Sequence, residues 1–217
     1  MYTDMQLQKN VIEEISWDPS LRDSEIGVAA KDGVITLTGS TATFAQKYAA
    51  VNAARRVAGV GAIANDITVN LTPFHKRSDT EIAHAAMDAL NWNVLVPPDA
   101  IQLKVEEGLI TLSGSVEWDY QRKAAERSVR TLHGVRGVVD LVVVKSHAKS
   151  TDVASKIKDA FKRNAEIDAE RISVTASDGT VTLKGRVRSW TERGDAERAA
   201  WSAPGVSRVQ DELLIGV

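Results

Sequence analysis

Apolar residues follow two periods along this chain, and the same succession of periods occurs three times. Leu7, Val11 and Ile15, then Ile82, Ala86 and Leu90, then Val153, Ile157 and Phe161 stand four apart, the spacing of one helix face. Each run gives way to an alternation of two, at Ile26 and Val28, Ile101 and Leu103, and Ile172 and Val174, which predicts a half-buried strand. A second alternation follows Asp32-Gly33, Glu107-Gly108 or Asp178-Gly179, through Ile35 and Leu37, Ile110 and Leu112, and Val181 and Leu183. An acidic residue and a glycine between two strands predict a hairpin, because glycine accepts positive φ without a steric cost.

Gly39, Gly114 and Gly185 end the second strand, and an alanine-rich helix runs from each towards Gly59, Gly134 or Gly205. Its buried stripe reads Ala50, Ala53, Ala54 and Val57, with equivalents at Ala125, Ser128, Val129 and Leu132, and at Ala196, Ala199, Ala200 and Ala203. The glycine after this helix is placed to be a left-handed C-cap. A last strand alternates through Ile63, Ile67 and Val69, through Val138, Val142 and Val144, and through Val209, Leu213 and Ile215. The expected fold class is α+β, three tandem α-β-β-α-β repeats. Because β-α-β crossovers are right-handed, each repeat should hold a three-stranded mixed sheet with both helices on one face.

The offsets between equivalent glycines are 75 residues and then 71, without insertion. They divide the chain into 1–71, 72–146, which includes a linker at 72–78, and 147–217. Units of this size sit near the lower limit for a self-sufficient apolar core, so neighbouring repeats are expected to touch. The outward sheet positions of the second repeat, Leu109, Val139, Leu141 and Val143, are apolar, whereas their equivalents are mostly polar. That face is expected to pack against a neighbouring repeat, or else to receive another protein or a second copy of the chain.

Composition changes the picture mainly by exclusion. The 217 residues contain no cysteine, which removes disulfides, thiol catalysis and thiolate metal sites. The net charge of −2 removes a general attraction to nucleic acid. A Gly134-Val135-Arg136-Gly137 run fits a nucleotide-clamping loop, but the other copies lack it. No apolar run approaches a membrane span, and the first ten residues carry no signal-like segment. As written the chain is expected in the cytoplasm, or in the periplasm if an export signal was trimmed. His75, His84, His133 and His147 occupy non-equivalent positions and form no metal motif. Neither a nucleophile elbow nor a phosphate loop occurs, so no catalytic residue, metal ligand or cofactor is assigned.

In combination, the acidic-Gly hairpin, the alanine-rich helix, Gly-Val at 59, 134 and 205, and the endings Asn65 to Val69, Asp140 to Val144 and Asp211 to Ile215 resemble the BON domain. That family takes its name from bacterial osmotically inducible and nodulation-related proteins. The resemblance implies a non-catalytic module of osmotic or envelope stress that binds phospholipid, with the first helix of a second copy making the contact in some members. Here that helix runs from about Asp79 to Asn91, with Met87 on it among positions that read as core and Trp92 at its end. Trp17 is the equivalent in the first repeat and Arg163 in the third. A tryptophan repeated at a helix end is either a packing residue or an interfacial anchor. The third repeat, net +1 against −2 and −1 for the others, offers Lys158, Lys162 and Arg163 with Trp190 nearby as a candidate anionic-lipid face. The expected partners are a phospholipid surface touched peripherally, or a protein or second copy in a cytoplasmic scaffold.

Overall fold

A computed structural model describes residues 2–145 and 152–216. The linker Ser146 to Ser150, with His147, lies outside the described residues. The first repeat comprises α1 (Asp4–Trp17), β1 (Glu25–Lys31), β2 (Val34–Thr41), α2 (Phe44–Arg56), β3 (Ala62–Asn65) and β4 (Thr68–Val69). The second comprises α3 (Asp79–Trp92), β5 (Ile101–Glu106), β6 (Leu109–Val116), α4 (Asp119–Arg130) and β7 (Gly137–Val144). The third comprises α5 (Val153–Arg163), β8 (Ile172–Ser177), β9 (Thr180–Val187), α6 (Trp190–Trp201) and β10 (Arg208–Ile215).

The sheets have the expected mixed topology. β1, β5 and β8 pair antiparallel with β2, β6 and β9, while β3, β7 and β10 run parallel on the other side of those central strands. In the first repeat the last strand breaks between Asn65 and Thr68, where the Ile67 N–H donates to the Asn65 side chain at 3.3 Å. Asp140 and Asp211 receive the N–H groups of Val142 and Leu213 in the same way. This side-chain bond takes over a backbone donor in the middle of the last strand while its register with the central strand stays unbroken.

The hairpins turn with both central residues at positive φ, as at Asp32 (+50°) and Gly33 (+76°), which is the twist-matched type I′ geometry. The carboxylates of Asp4 and Asp79, at the starts of α1 and α3, accept both turn N–H groups of their hairpins at 2.8–3.3 Å. Turn formation therefore accounts for the acidic residue beside each hairpin glycine. Gly59, Gly134 and Gly205 have positive φ, but they stand three or four residues beyond the helices. They close the turn into the last strand instead of capping the last helical turn. Gly134 presses against Ile82 and is itself buried, so the Gly134 to Gly137 run is a packed corner without an open nucleotide loop.

One polar position serves all three repeats. Gln46 and Gln121 each accept two backbone N–H groups ahead of their helix. In the third repeat Glu192 accepts from Arg188 N at 2.7 Å and Asp168 N at 2.8 Å, and from the Arg188 side chain. Burial pushes this carboxyl up, but the two N–H groups and the guanidinium outweigh it and hold it below the ordinary range. Its contribution is complete above the ordinary carboxylate pKa and is lost as pH falls through the lower, folded value. Glu192→Ala should cost about 2–4 kcal/mol by stranding two donors, whereas Glu192→Gln should cost less and remove part of the acid sensitivity. Urea melts of both variants at pH 7 and pH 4 check this.

The repeats join through the ends of their second helices. Phe44, at the start of α2, packs on the core of the following repeats, and Arg130 at the end of α4 lies 3.6 Å above the Tyr48 ring. Arg122 of α4 lies 4.9 Å from the ring of Trp201, which ends α6. Trp190, at the start of α6, donates from Nε1 to the Val60 carbonyl at 3.0 Å and packs on the first core. Arg55, Arg130 and Trp201 are equivalent positions, as are Phe44, Asp119 and Trp190. Each junction thus sets the front half of one second helix against the far end of another, first on second, second on third, third on first. A head-to-tail interface that closes after three steps makes a ring with an approximate threefold axis.

Candidate functional site

The end of the first helix is built to one plan in every repeat. Asp18, Asn93 and Asn164 follow α1, α3 and α5, and each side chain accepts the N–H two residues on, at 2.9–3.0 Å. The residue after that, Leu21, Val96 or Ile167, turns back into the core. The two residues between are pushed outward as a tip. Asn93 also donates from Nδ2 to Ser128 on α4 at 2.8 Å, which fixes the second tip to the body of its repeat.

What the tips carry differs. Around the second are Trp92, 86% exposed, Val94, 96% exposed, and Leu95, 52% exposed. The first has Trp17, 84% exposed, ahead of Pro19 and Ser20. The third has Arg163 ahead of Ala165 and Glu166. The two tryptophans are not packing residues. Their α-helical positions lie off the stripe formed by Leu7, Val11 and Ile15 and by Ile82, Ala86 and Leu90, and nothing in the neighbouring repeats covers them. Met87 is not a core position either, since it is exposed on α3. It stands five residues before Trp92, so the two project about 140° apart around the helix and do not form one patch.

Trp190 stands in a junction and not on an open face. It is partly buried in the junction between the third and first repeats, flanked by Arg55 at 5.3 Å and Arg193 at 5.1 Å. Lys158, Lys162 and Arg163 are exposed on and at the end of α5, with Lys162 3.6 Å from Asp159. The expectation that Leu109, Val139, Leu141 and Val143 pack on a neighbouring repeat is corrected as well. All four are exposed, because the second helices that make the junctions lie on the opposite side of the sheet.

The BON domain family model matches residues 3–70, 78–146 and 149–216. This chain belongs to the BON domain family. The osmotically inducible protein Y of Escherichia coli strain K12 is 30% identical over 121 residues, 52% of this chain and 60% of that protein. The chain therefore matches less than two thirds of that relative's length. Among solved structures, one of CdsD, a structural protein of the type III secretion system of Chlamydia trachomatis, aligns with 96% of this chain and 91% of its own at 13% identity and a TM-score of 0.23. The C-terminal domain of CdsD aligns over both whole chains at 11% and 0.25.

Among the described residues of this BON protein, no group of three or more His, Asp or Glu is placed to hold a metal ion. No described helix is long and apolar enough to cross a membrane. The BON repeats instead differ at their tips, and sequence reading missed Val94 and Leu95 there. The signal lies in the aligned tips Trp-Asn-Val-Leu-Val, Trp-Asp-Pro-Ser-Leu and Arg-Asn-Ala-Glu-Ile, where only the second copy places aliphatic Val or Leu side chains at both outward positions.

Proposed function

We propose that this three-BON chain is a non-catalytic stress-response protein that rests on phospholipid surfaces through its helix-end tips. The observation that carries this reading is the exposed cluster of Trp92, Val94 and Leu95, held outward by the Asn93 turn. An indole at a rigid apolar tip suits the headgroup boundary, where its ring is buried while the N–H stays hydrated. The approximate threefold axis supports a flat partner, since rotation leaves equivalent points at one level along the axis. Trp17 and the basic pair Lys162 and Arg163 then share the level of Trp92. No Lys or Arg lies within α3, so the second tip would depend on apolar insertion and the third on anionic headgroups. The osmotic inducibility of the Escherichia coli relative is consistent with a role in envelope stress.

Vesicle co-sedimentation tests this. The wild type should bind phosphatidylcholine vesicles weakly and vesicles containing phosphatidylglycerol more tightly, with a blue shift of tryptophan emission. Burying half an indole, about 100 Å², is worth roughly 2.5 kcal/mol. Trp92→Ser should therefore weaken binding at least about tenfold. Absence of binding to either vesicle at low salt would refute the lipid reading.

A second reading, a scaffold joined by protein contacts, is favoured by the exposed Leu109, Val139, Leu141 and Val143 row. Light scattering without vesicles separates the two. An oligomer that becomes a folded monomer on Leu141→Asp supports the scaffold, and a monomeric wild type opposes it.

A further inference from the structure

Two histidines 58 residues apart meet where the linker between the first two repeats crosses the end of α4. His75 Nδ1 and His133 Nδ1 are 2.8 Å apart, the ring centroids are 4.9 Å apart, and the planes differ by 18°. With the nitrogens so much closer than the centres and the planes nearly parallel, the rings lie side by side. The nitrogen–nitrogen line therefore runs along the ring planes, where an imidazole N–H and a lone pair point. Phe74 sets its edge against both rings at 5.2 and 5.6 Å. The pocket around the pair joins Thr43 and Ala45 of the first repeat to Leu132 and Val135 of the second, and its other lining side chains are uncharged.

We propose that His75 and His133 are a proton-operated latch on the junction between the first two repeats. In the closed state one ring carries its hydrogen on Nδ1 and donates, and the other accepts through the Nδ1 lone pair. A first added proton leaves that bond in place and makes it charge-assisted. A second puts N–H groups on both facing nitrogens and two positive charges side by side. The closed pair therefore holds one added proton at most where the open junction can hold two, so closure persists while the pair carries no added proton or one and is lost when, towards acid pH, it must carry both.

Lys76, Arg77 and Arg136 border the adjoining groove, and the Arg77 guanidinium is held by the Phe74 and Lys76 carbonyls at 3.0 and 2.7 Å. The facing carboxylates in that groove are Asp79, which is occupied by the hairpin N–H groups, and Glu107. Among the described residues the other two junctions contain no histidine pair, so opening this one converts the closed ring into an open string of three repeats.

Nitrogen-15 NMR of the full chain labelled at histidine provides the test. At pH 8 a through-bond coupling between the two Nδ1 nuclei is expected, one protonated and one not, with His84 as an uncoupled reference. Hydrogen exchange at 71–78 and 131–136, corrected for intrinsic rate, should accelerate at least about tenfold from pH 8 to pH 5. His133→Leu should abolish that acceleration. Unprotonated or independently protonated Nδ1 atoms without coupling would overturn the latch. So would an equal pH effect in wild type and variant, and the coupling measurement decides the matter on the wild type should the variant fold poorly.

Discussion

Gly114→Ala is expected to abolish folding of the second repeat, and Gly39→Ala and Gly185→Ala should do the same in theirs. The three glycines have φ of +122°, +104° and +138°, outside the range L side chains adopt comfortably. A Cβ there would stand 2.2 Å from the Ala100 carbonyl oxygen, 1.9 Å from that of Glu25 or 2.0 Å from that of Arg171. In each case the obstacle is backbone where the antiparallel partner strand begins, which cannot rotate away as a side chain could. Relief requires separating the two strands of the hairpin or unwinding its start. With backbone strain of about 1–3 kcal/mol added, the total should exceed about 4 kcal/mol, a large share of a domain's usual 5–15 kcal/mol. Gly194→Ala is the matched control. It lies inside α6 with nothing within 4 Å of the new atom, so it should stabilise by roughly 0.5–1 kcal/mol. Urea midpoints by circular dichroism distinguish the two classes of glycine.

Those same glycines show why so much of the fold is readable from sequence. Helix, hairpin and crossover are local patterns, and Gly39, Gly114 and Gly185 recur in register because each repeat meets the same steric constraint. Threefold repetition then turns weak signals into a consistent one. Contacts between repeats have no such redundancy. Trp190, Phe44 and Asp119 occupy one equivalent position, yet two are aromatic residues packed on another repeat's core. The third is a buried carboxylate paired with Arg122 and Lys123. No periodicity links them, so the sequence does not foreshadow the ring, and the apolar row of the second sheet stands outside the junctions, which the helix ends make. The tip was half legible. Trp17 and Trp92 stood out as residues, but their exposure follows from the turn at Asp18 and Asn93 that sends the chain outward before Leu21 and Val96 return it to the core. His75 and His133 were likewise visible singly, and only the fold brings them together.

Closure of the ring makes the junctions depend on one another. In a linear array the loss of one interface releases one end. In a ring the remaining two interfaces still hold the three repeats together, but as a string whose ends can separate. This distinction makes Trp190→Ala the sharpest probe of the architecture. The substitution removes the hydrogen bond to the Val60 carbonyl, the contact with the first core and the ring held between Arg55 and Arg193. Large-to-small replacement of a packed tryptophan costs about 3–5 kcal/mol when fully buried, and roughly 2–3 kcal/mol is expected at this partly exposed site. The loss should fall on the first repeat, which keeps only its junction with the second, while the second and third continue to share one apolar core. Thermal unfolding should then separate into an early transition of the first repeat and a later one of the other two, where the wild type melts in one. Hydrogen exchange should locate the early loss in α1, β1, β2 and α2. A single transition shifted downward with uniform loss of protection would mean that the repeats unfold as one body without regard to the third-to-first junction, and that the ring contributes no cooperativity of its own.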